Sequence, residues 1–338
     1  MLKLFKPFIS KEAKENVQRI LDTDSITQGK EVELFEKELE EKLGKRCLTV
    51  NSGTAALALA YELAEIGEGD EVITPVLTCT ATNLPLIHRK AKIVFADTDY
   101  DLNINIQDVE NKITEKTKAI VFVHFGGNHR GLPHLVAVCR KRGIILIEDA
   151  AQAIGGTYWG KADFTAVSLQ AIKTITSGDG GLLICNNNED YKKAKRLRWF
   201  GIDREDRSRD ITEAGYKYHM NDISAGIGRG NLLYLNELMF HVKALGKVYQ
   251  SYGLFSHAWL AGGLTTNYTN LKHALNVAGY ECDQHHYRND KYAVFGGRQA
   301  LPIMDEIENQ YFFVPLHYGV TLEDAHKIGQ ICKQYALK

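Results

Sequence analysis

The stretch SLQAIKTITSGDGG, residues 168–181, places a single lysine, Lys173, in a bend rich in glycine and threonine. A strand-like run over 164–169 precedes the bend, and a second apolar run over 182–185 follows it. Both runs have the length and composition of buried strands. The sequence therefore predicts two strands joined by a tight connection that carries Lys173.

A carboxylate lies upstream of this lysine, at the end of another predicted strand. Residues 144–149 read IILIED, and the final Asp149 precedes Lys173 by 173 − 149 = 24 positions. A lysine that forms a Schiff base and a carboxylate that pairs with a pyridinium nitrogen are the two groups that pyridoxal 5′-phosphate (PLP) requires of a protein. A surface lysine and an acidic residue after a strand are the ordinary alternative, so the pair needs support from the rest of the chain.

The composition fits a globular protein and argues against several classes of function. The 338 residues carry 41 basic and 42 acidic side chains and are 44% hydrophobic, and the length suits one large domain plus a smaller one. No basic stripe with interleaved aromatic residues is present, so we expect no nucleic-acid partner. No apolar run reaches the roughly 18 residues that span a bilayer, so we expect no membrane segment.

The cysteines and the opening residues indicate a cytoplasmic protein. Six cysteines are scattered along the chain without a Cys-x-x-Cys pair, which favours reduced thiols over a disulfide framework or a zinc site. The opening MLKLFKP lacks the apolar core and the small-residue cleavage site of a signal peptide. We therefore expect a cytoplasmic location and no metal.

Strands and helices alternate along the first part of the chain. Helices are predicted over 10–21, 32–43, 53–64, 81–88, 106–113 and 133–142, and strands over 47–50, 71–74, 93–95, 119–124 and 144–149. This alternation predicts an α/β fold with a mainly parallel sheet flanked by helices. We assign residues 1–240 to this large domain, with its N-terminal helix packing toward a small α+β domain, residues 241–338, that ends in a helix over 322–335.

Two further motifs have residues suited to a phosphorylated cofactor. NSGTAAL (51–57) follows a strand and opens a helix, so Ser52, Gly53 and Thr54 offer backbone N–H groups and a hydroxyl to an anion. In EDAAQAIGG (148–156), Gln152 lies three residues after the aspartate and is placed to face the cofactor's phenolic oxygen. Ser168, five residues before the lysine, is a further candidate phosphate ligand. A plain glycine turn, a solvated glutamine and a satisfied strand serine are the respective structural alternatives.

These motifs, in this order, resemble the DegT/DnrJ/StrS sugar aminotransferases, a family of fold type I PLP-dependent enzymes. The resemblance also includes TQGKEV (27–32), Thr74-Pro75, Ala81-Thr82, YHMNDI (218–223) and FVPLH (313–317), and it is patchier after about residue 240. It implies that Lys173 is the Schiff-base lysine and that Asp149 pairs with the pyridine nitrogen. It also implies that Gln152 contacts the ring oxygen, and that Gly53, Thr54 and Ser168 bind the phosphate.

The sequence departs from the family pattern at two positions near the cofactor. The family stacks an aromatic ring on the cofactor after Pro-x-x-Thr, whereas here Cys79 follows PVLT (75–78). A thiol offers less contact area than an aromatic face. The family also lends an asparagine to the phosphate of the neighbouring subunit, and here the corresponding residue is Lys217. We expect Lys217 to supply a cationic phosphate contact in a homodimer with shared sites, the alternative being a solvated lysine.

Two longer segments also depart from the family. The chain is short for the family, and we place the loss in 256–283, where a strand and a helix of the small domain are expected to be missing. The run AGIGRG (225–230) puts Arg229 and three glycines in a predicted helix, and the sequence gives no account of it beyond an interface or substrate role. His285 and Arg288 follow the shortened segment, and His317 lies in PLH (315–317); these three are candidate substrate contacts, with ordinary polar residues as the alternative.

The resemblance implies a function: transfer of an amino group from glutamate to C3 or C4 of a nucleotide-linked keto-deoxysugar, in deoxysugar or polysaccharide biosynthesis. Two half-reactions on one cofactor predict ping-pong kinetics. Two alternatives remain at this stage. One is another fold type I PLP enzyme, such as a lyase or a desulfurase, and the other is a non-catalytic regulatory paralogue.

Overall fold

The computed structural model of the chain describes residues 1–23, 25–203 and 210–335. Its helices are α1 (Lys11–Leu21), α2 (Lys30–Leu43), α3 (Gly53–Leu63), α4 (Thr80–His88), α5 (Ile106–Lys112), α6 (Leu132–Arg142), α7 (Asn188–Leu197), α8 (Asp222–Leu232), α9 (Leu235–Ser251), α10 (Tyr268–Val277), α11 (Pro302–Ile307) and α12 (Leu322–Lys333). Its strands are β1 (Leu48–Val50), β2 (Glu71–Pro75), β3 (Leu77–Thr78), β4 (Lys92–Ala96), β5 (Thr117–Val123), β6 (Ile145–Asp149), β7 (Phe164–Ser168), β8 (Gly181–Cys185), β9 (Phe255–Ser256), β10 (Ala261–Leu264), β11 (Tyr287–Arg288) and β12 (Tyr311–Val314). Every element predicted from the sequence is present, with its ends within two residues of the prediction.

We call the part of the chain that corresponds to the predicted large domain, residues 1–240, the large unit. Its centre is a seven-stranded sheet in the order β1-β8-β7-β6-β5-β2-β4. Neighbouring strands are parallel from β7 to β4, while β8 runs antiparallel to both β1 and β7. Strands β2, β6 and β7 are almost entirely buried because helices cover both faces of the sheet. The predicted α/β architecture with a mainly parallel sheet is confirmed, and it brings the carboxyl ends of five parallel strands to one edge.

The small unit, which corresponds to the predicted small domain (241–338), contains the strand and the helix that we expected to be missing. Between Ser256 and Asp283 the chain forms β10, in the antiparallel sheet β12-β10-β9, and then α10, which buries Leu271 and Leu275. The expected loss is therefore wrong. Glycine is unfavourable in a strand by propensity, yet Gly262 is required in β10, because a β-carbon there would lie 2.0 Å from the Phe312 carbonyl oxygen.

Helix α9 runs without a break through the predicted domain boundary at residue 240. Its first half packs in the large-unit core through Leu235, Leu238 and Met239, and its second half in the small-unit core through Leu245 and Tyr249. The division at residue 240 coincides with this change of packing and stays a prediction.

The N-terminal helix α1 packs on α8, not toward the small unit as we expected. Its Ala13 and Ile20 lie so close to α8 that β-carbons at Gly230 and Gly226 would come within 2.2 and 2.4 Å of them. These glycines explain the unusual AGIGRG run, since they let two helices approach closely. It is instead the segment ahead of α1 that contacts the small unit, with Leu4 N donating to Glu281 Oε2 at 2.7 Å.

Within the described ranges, no helix combines the length and the apolar character needed to cross a bilayer. Among the same residues, no group of three or more His, Cys, Asp or Glu side chains is placed to hold a metal ion.

Candidate functional site

A cavity of about 330 Å³ opens at the carboxyl edge of the parallel strands. Its size falls within the range of about 300–1,000 Å³ that ligand pockets usually have. The cavity brings together nine of the twelve residues predicted from the sequence, namely Ser52, Gly53, Thr54, Cys79, Asp149, Gln152, Ser168, Lys173 and His285. Residues from motifs that are far apart in the sequence therefore line one site.

Lys173 lies in the predicted bend after β7, where its backbone N–H donates to Gln170 O at 2.9 Å. Its ammonium nitrogen is 3.8 Å from the centroid of the Trp259 indole ring. Burial lowers the pKa of Lys173 to about 8, although Asp149 nearby acts in the opposite direction. An amine with this pKa is partly neutral at neutral pH, and it can therefore act as a nucleophile or a base.

Asp149 ends β6, and a chain of hydroxyl groups holds its carboxylate. Thr82 Oγ1 donates to Asp149 Oδ2 at 2.7 Å, and the hydroxyls of Thr78 and Thr82 are 2.9 Å apart. The other oxygen, Oδ1, accepts from Ala151 N at 3.1 Å. Because both oxygens are engaged, the carboxylate has a fixed direction at the cavity wall. Thr82 belonged to a sequence motif, but only the structure shows what its hydroxyl contacts.

The N-terminus of α3 forms one end of the cavity. Ser52 is the N-cap and accepts from Ala55 N, so the first N–H groups of the helix, at Gly53 and Thr54, have no partner within the helix. A β-carbon at Gly53 would lie 2.9 Å from Ser168 Cβ. Ser168 Oγ accepts from Gln170 N at 3.3 Å and keeps its own hydrogen for another acceptor. These donors, together with the helix dipole, suit a phosphate.

The side-chain amide of Gln152 has a defined orientation. Gly126 N donates to Gln152 Oε1 at 2.6 Å, which identifies the oxygen, and Gln152 Nε2 lies 3.1 Å from His286 Nε2. An amide nitrogen only donates, so His286 Nε2 is the acceptor. His286 was not among the site residues predicted from the sequence, and neither was its contact with Gln152.

Aromatic residues distant in sequence close the side of the cavity at Lys173. The indole of Trp259 stacks on Phe5 at 4.9 Å between centroids, and its Nε1–H donates to Ile172 O at 3.0 Å. Neither Trp259 nor Phe5 lies in a recognisable motif, so the sequence offered no signal for them. Their packing removes water from one side of the Lys173 amine.

His285 lies between this aromatic wall and the cavity. Its ring contacts those of Phe5 and Trp259, and its Nε2 is buried without a hydrogen-bond partner among the described residues. Burial, with Lys173 nearby, lowers the pKa of His285 to about 4, so the ring is neutral at neutral pH. A buried polar atom without a partner at a cavity wall is suited to a ligand's hydrogen bond.

Cys79 lines the cavity at the N-cap of α4. Burial raises the pKa of its thiol, and Asp149 acts in the same direction. The residue is therefore a neutral thiol that shares the cavity wall with the lysine and the aspartate.

Three of the predicted site residues lie outside the cavity. The Arg288 side chain is fully buried and ion-paired with Asp290, Asp305 and Glu308, so it is not free to contact a substrate. His317 accepts from Gly319 N at Nδ1, and its Nε2 donates to Lys3 O. The contacts of Arg288 are structural, and the expectation of a substrate role is corrected for this residue. His317 lines a neighbouring cavity together with Lys173, and its substrate role stays a prediction.

Lys217, the third, is exposed and is not among the residues that line the cavity of its own chain. Its backbone forms an isolated antiparallel bridge with Trp199, and its carbonyl oxygen accepts from Asn51 Nδ2 at 3.2 Å. The expected role in a neighbouring subunit stays a prediction.

The model of the DegT/DnrJ/EryC1/StrS aminotransferase family matches residues 7–333 of the sequence. The chain belongs to this family. Its relatives include the Methanocaldococcus jannaschii protein MJ1066, 35% identical over 79% of this chain and 77% of that protein. They also include the GDP-perosamine synthase of Escherichia coli O157:H7, 32% identical over 73% of this chain and 70% of that protein.

Solved structures of sugar aminotransferases share the fold of this family member. CalS13 from Micromonospora echinospora superimposes with a TM-score of 0.93 and 28% identity, over 99% of this chain and 100% of that chain. The PLP form of the putative sugar aminotransferase Spr1654 from Streptococcus pneumoniae gives a TM-score of 0.88 and 25% identity, over 98% and 97%. The coverage of CalS13 agrees with the presence of β10 and α10 in this aminotransferase.

Proposed function

We propose that the protein is a PLP-dependent aminotransferase that transfers an amino group from glutamate to C3 or C4 of a nucleotide-linked keto-deoxysugar. The observation that carries the proposal is that Lys173, with its lowered pKa, and Asp149, with its fixed carboxylate, line one cavity whose far end is a helix N-terminus. These are the lysine, the pyridinium partner and the anion site that PLP needs.

The residues present fit PLP group by group. Gly53, Thr54 and Ser168 would hold the phosphate, Asp149 the ring nitrogen, Gln152 the ring oxygen, and Cys79 would pack against the ring. The close approach of Gly53 to Ser168 supports this assignment, because a β-carbon there would fill the phosphate cradle. When bound, PLP supplies an electrophilic carbon for the amine and an electron sink for the bond that breaks.

Lys173 carries the proton in this reaction. With a pKa of about 8, roughly a tenth of the free amine is neutral at pH 7 and available as a base. Its Nζ would take the proton from the α-carbon of the amino donor and deliver it to C4′ of the cofactor, the carbon to which the amino group passes. Trp259 and Phe5 exclude water from the amine, which keeps its pKa low.

A sugar substrate is supported by the family and by His285. The relative from Escherichia coli is named a GDP-perosamine synthase. The neutral His285 ring, with its unpartnered Nε2, suits an uncharged hydroxyl or carbonyl group better than a carboxylate. We therefore assign His285 to the sugar.

We further propose a homodimer in which Lys217 contacts the phosphate in the neighbouring subunit. Its exposure, and its absence from the lining of its own chain's cavity, support this arrangement. Sedimentation velocity with and without PLP tests it: PLP should tighten the wild-type dimer by linkage, and Lys217→Ala should weaken PLP binding. A monomer with full affinity for PLP contradicts the shared site and leaves Lys173 and Asp149 in place.

Among the described residues of the small unit, no cysteine is suited to act as the nucleophile of a desulfurase. Cys282 and Cys332 are buried in its core, and burial raises the pKa of Cys282 to about 12 and that of Cys332 still higher. A thiolate nucleophile requires a low pKa and access. The following experiment distinguishes an enzyme from a non-catalytic paralogue.

The experiment compares Lys173→Ala with the control variant Lys333→Ala, which replaces an exposed lysine on α12. After reconstitution with PLP, the wild type and Lys333→Ala should show the visible absorbance of lysine-bound PLP, lose it on addition of glutamate, and release 2-oxoglutarate. Lys173→Ala should show none of these. Equal release of 2-oxoglutarate by Lys173→Ala contradicts the proposal, and a wild type that binds PLP but does not respond to glutamate indicates another donor or a paralogue without activity.

A further inference from the structure

His286 combines an unusual backbone conformation with a contact inside the cavity. Its φ is +64°, in the left-handed region that residues other than glycine rarely adopt, although histidine is less disfavoured there than bulky residues. Conformations of this kind persist only where the surroundings impose them, and they cluster at functional sites.

The surroundings that impose this conformation come from both units. Tyr311 Oη donates to His286 O at 2.8 Å, and the two residues that follow, β11, pair antiparallel with β3 beside Cys79. The buried ion pairs of Arg288 then fix the end of β11. The corrected role of Arg288 is therefore to hold the backbone that presents His286.

We propose that His286 is a positioning residue that sets the direction of the Gln152 side-chain amide by accepting a hydrogen bond at Nε2. The inference rests on the proposed function, in which Gln152 contacts the ring oxygen of PLP. With Oε1 engaged by Gly126 N and one N–H engaged by His286, the second N–H of Gln152 is left as a donor. A reversed amide would present its oxygen to the ring oxygen and repel it.

The imidazole is held in the state that this contact requires. The ring must be neutral and protonated at Nδ1 for its Nε2 to accept. Burial lowers the pKa of His286 well below its usual value, with His285 and Lys173 acting in the same direction. The ring of His286 packs against the rings of Phe125 and His285. These described ring contacts include no carboxylate that would favour the protonated form of the imidazole.

Histidine-selective ¹⁵N NMR of the apo protein tests the contact directly. The wild type should show His286 as the Nδ1-protonated tautomer. In Gln152→Glu a carboxylate oxygen replaces the amide nitrogen, and His286 should become protonated at Nε2. A wild-type ring protonated at Nε2 overturns the proposal without any measurement on the cofactor.

A matched pair of variants tests the positioning role in the PLP-loaded protein. His286→Gln keeps an acceptor at similar reach, whereas His286→Met has similar length and no comparable acceptor, and both keep a β-carbon at the same φ. We expect His286→Met to bind PLP about tenfold more weakly and to shift the spectrum of bound PLP, since losing one hydrogen bond to a buried donor costs on the order of 1.4 kcal/mol. His286→Gln should stay within about twofold of wild type.

A double-mutant cycle with Gln152→Leu completes the test. If His286 acts through Gln152, adding His286→Met to Gln152→Leu should weaken PLP binding no further. Equal losses in His286→Gln and His286→Met, or additive losses in the cycle, overturn the positioning role. A wild type that takes up no PLP contradicts the proposed function instead. Thermal unfolding of each apo variant checks that the fold is kept.

Discussion

The ammonium nitrogen of Lys173 lies 3.8 Å from the centre of the Trp259 indole, so a residue of the small unit covers the lysine at the edge of the large sheet. The indole has two opposing effects on the amine. It favours the charged form through a cation–π contact, and it disfavours that form by excluding water. Burial is the largest influence on the pKa of Lys173, so the exclusion of water decides the balance.

Replacing this ring should therefore raise the pKa of Lys173. In Trp259→Leu, water reaches the amine, and the pKa should move from about 8 toward its usual value. The pH profile of glutamate-dependent 2-oxoglutarate release should move to higher pH, and the rate at pH 7 should fall about tenfold for every pH unit that the profile moves. Trp159→Leu, at a tryptophan buried outside the cavity, is the control and should leave the profile in place. An unchanged profile in Trp259→Leu contradicts this account.

Thr82→Val should impair the site and the fold together. The substitution removes the hydroxyl that donates to Asp149 Oδ2 and leaves Thr78 Oγ1 without its partner. We expect the free energy of unfolding to fall by about 1–3 kcal/mol and turnover to fall as the carboxylate loses its fixed direction. Thr165→Val is the matched control, because Thr165 is buried and its hydroxyl has no partner among the described residues. Urea unfolding and steady-state kinetics on both variants make the comparison, and equal behaviour of the two would remove the role of Thr82.

Gly53→Ala should block the phosphate end of the cavity. The new methyl group would lie 2.9 Å from Ser168 Cβ and 3.2 Å from its Cα, so the backbone must move apart. The cost of such overpacking is about 1–3 kcal/mol, and PLP affinity should fall because the cradle is distorted. Gly67→Ala, whose β-carbon would meet no described atom within 4 Å, should be neutral in both measurements. PLP titration measures the effect on affinity, and thermal unfolding measures the effect on stability. Unchanged PLP affinity in Gly53→Ala would exclude a phosphate site at Gly53 and Ser168.

Stability should fall as the pH is lowered through the range where buried histidines resist protonation. The pKa of His285 is about 4 in the folded protein and about 6.5 in an unfolded chain. Between these values the unfolded chain binds a proton that the folded protein does not, so the contribution of His285 to stability is complete above pH 6.5 and is lost toward pH 4. The loss is up to about 1.4 kcal/mol per pH unit. In His285→Gln, the slope of the free energy of unfolding against pH should decrease by the contribution of one proton. His273→Gln, at an exposed histidine, should leave the slope unchanged. An unchanged slope in His285→Gln contradicts the low pKa of His285.

Much of the site was predictable because its chemistry lies next to strand ends. Lys173, Asp149 and the Ser52–Thr54 segment each follow a continuous apolar run, and the carboxyl ends of parallel strands meet at one edge. Their convergence followed from the fold alone. The start of α3 at Gly53 was equally predictable, because the alanine-rich run after the motif has the composition of a helix.

The parts that were missed depend on contacts between distant segments. Arg288 was predicted as a substrate residue because two of its three carboxylate partners, Asp305 and Glu308, lie beyond the local sequence. Strand β10 was expected to be missing, and its Gly262 is required by a close approach to Phe312 that the local sequence does not reveal. Trp259 and Phe5 reach the lysine from the small unit and from the N-terminal segment, and no spacing rule links positions so far apart.

The close packing of α1 on α8 has a consequence for synthesis on the ribosome. The helix at Lys11–Leu21 emerges early, but its docking surface at Asp222–Leu232 is made about 200 residues later. At roughly 5–20 residues per second, the first helix waits on the order of 10–40 s for its partner. During that interval the apolar side of α1, with Ala13 and Ile20, is exposed and can bind chaperones. Replacing the α8 glycines with larger residues should prevent α1 from docking, and should therefore prolong chaperone binding after release from the ribosome.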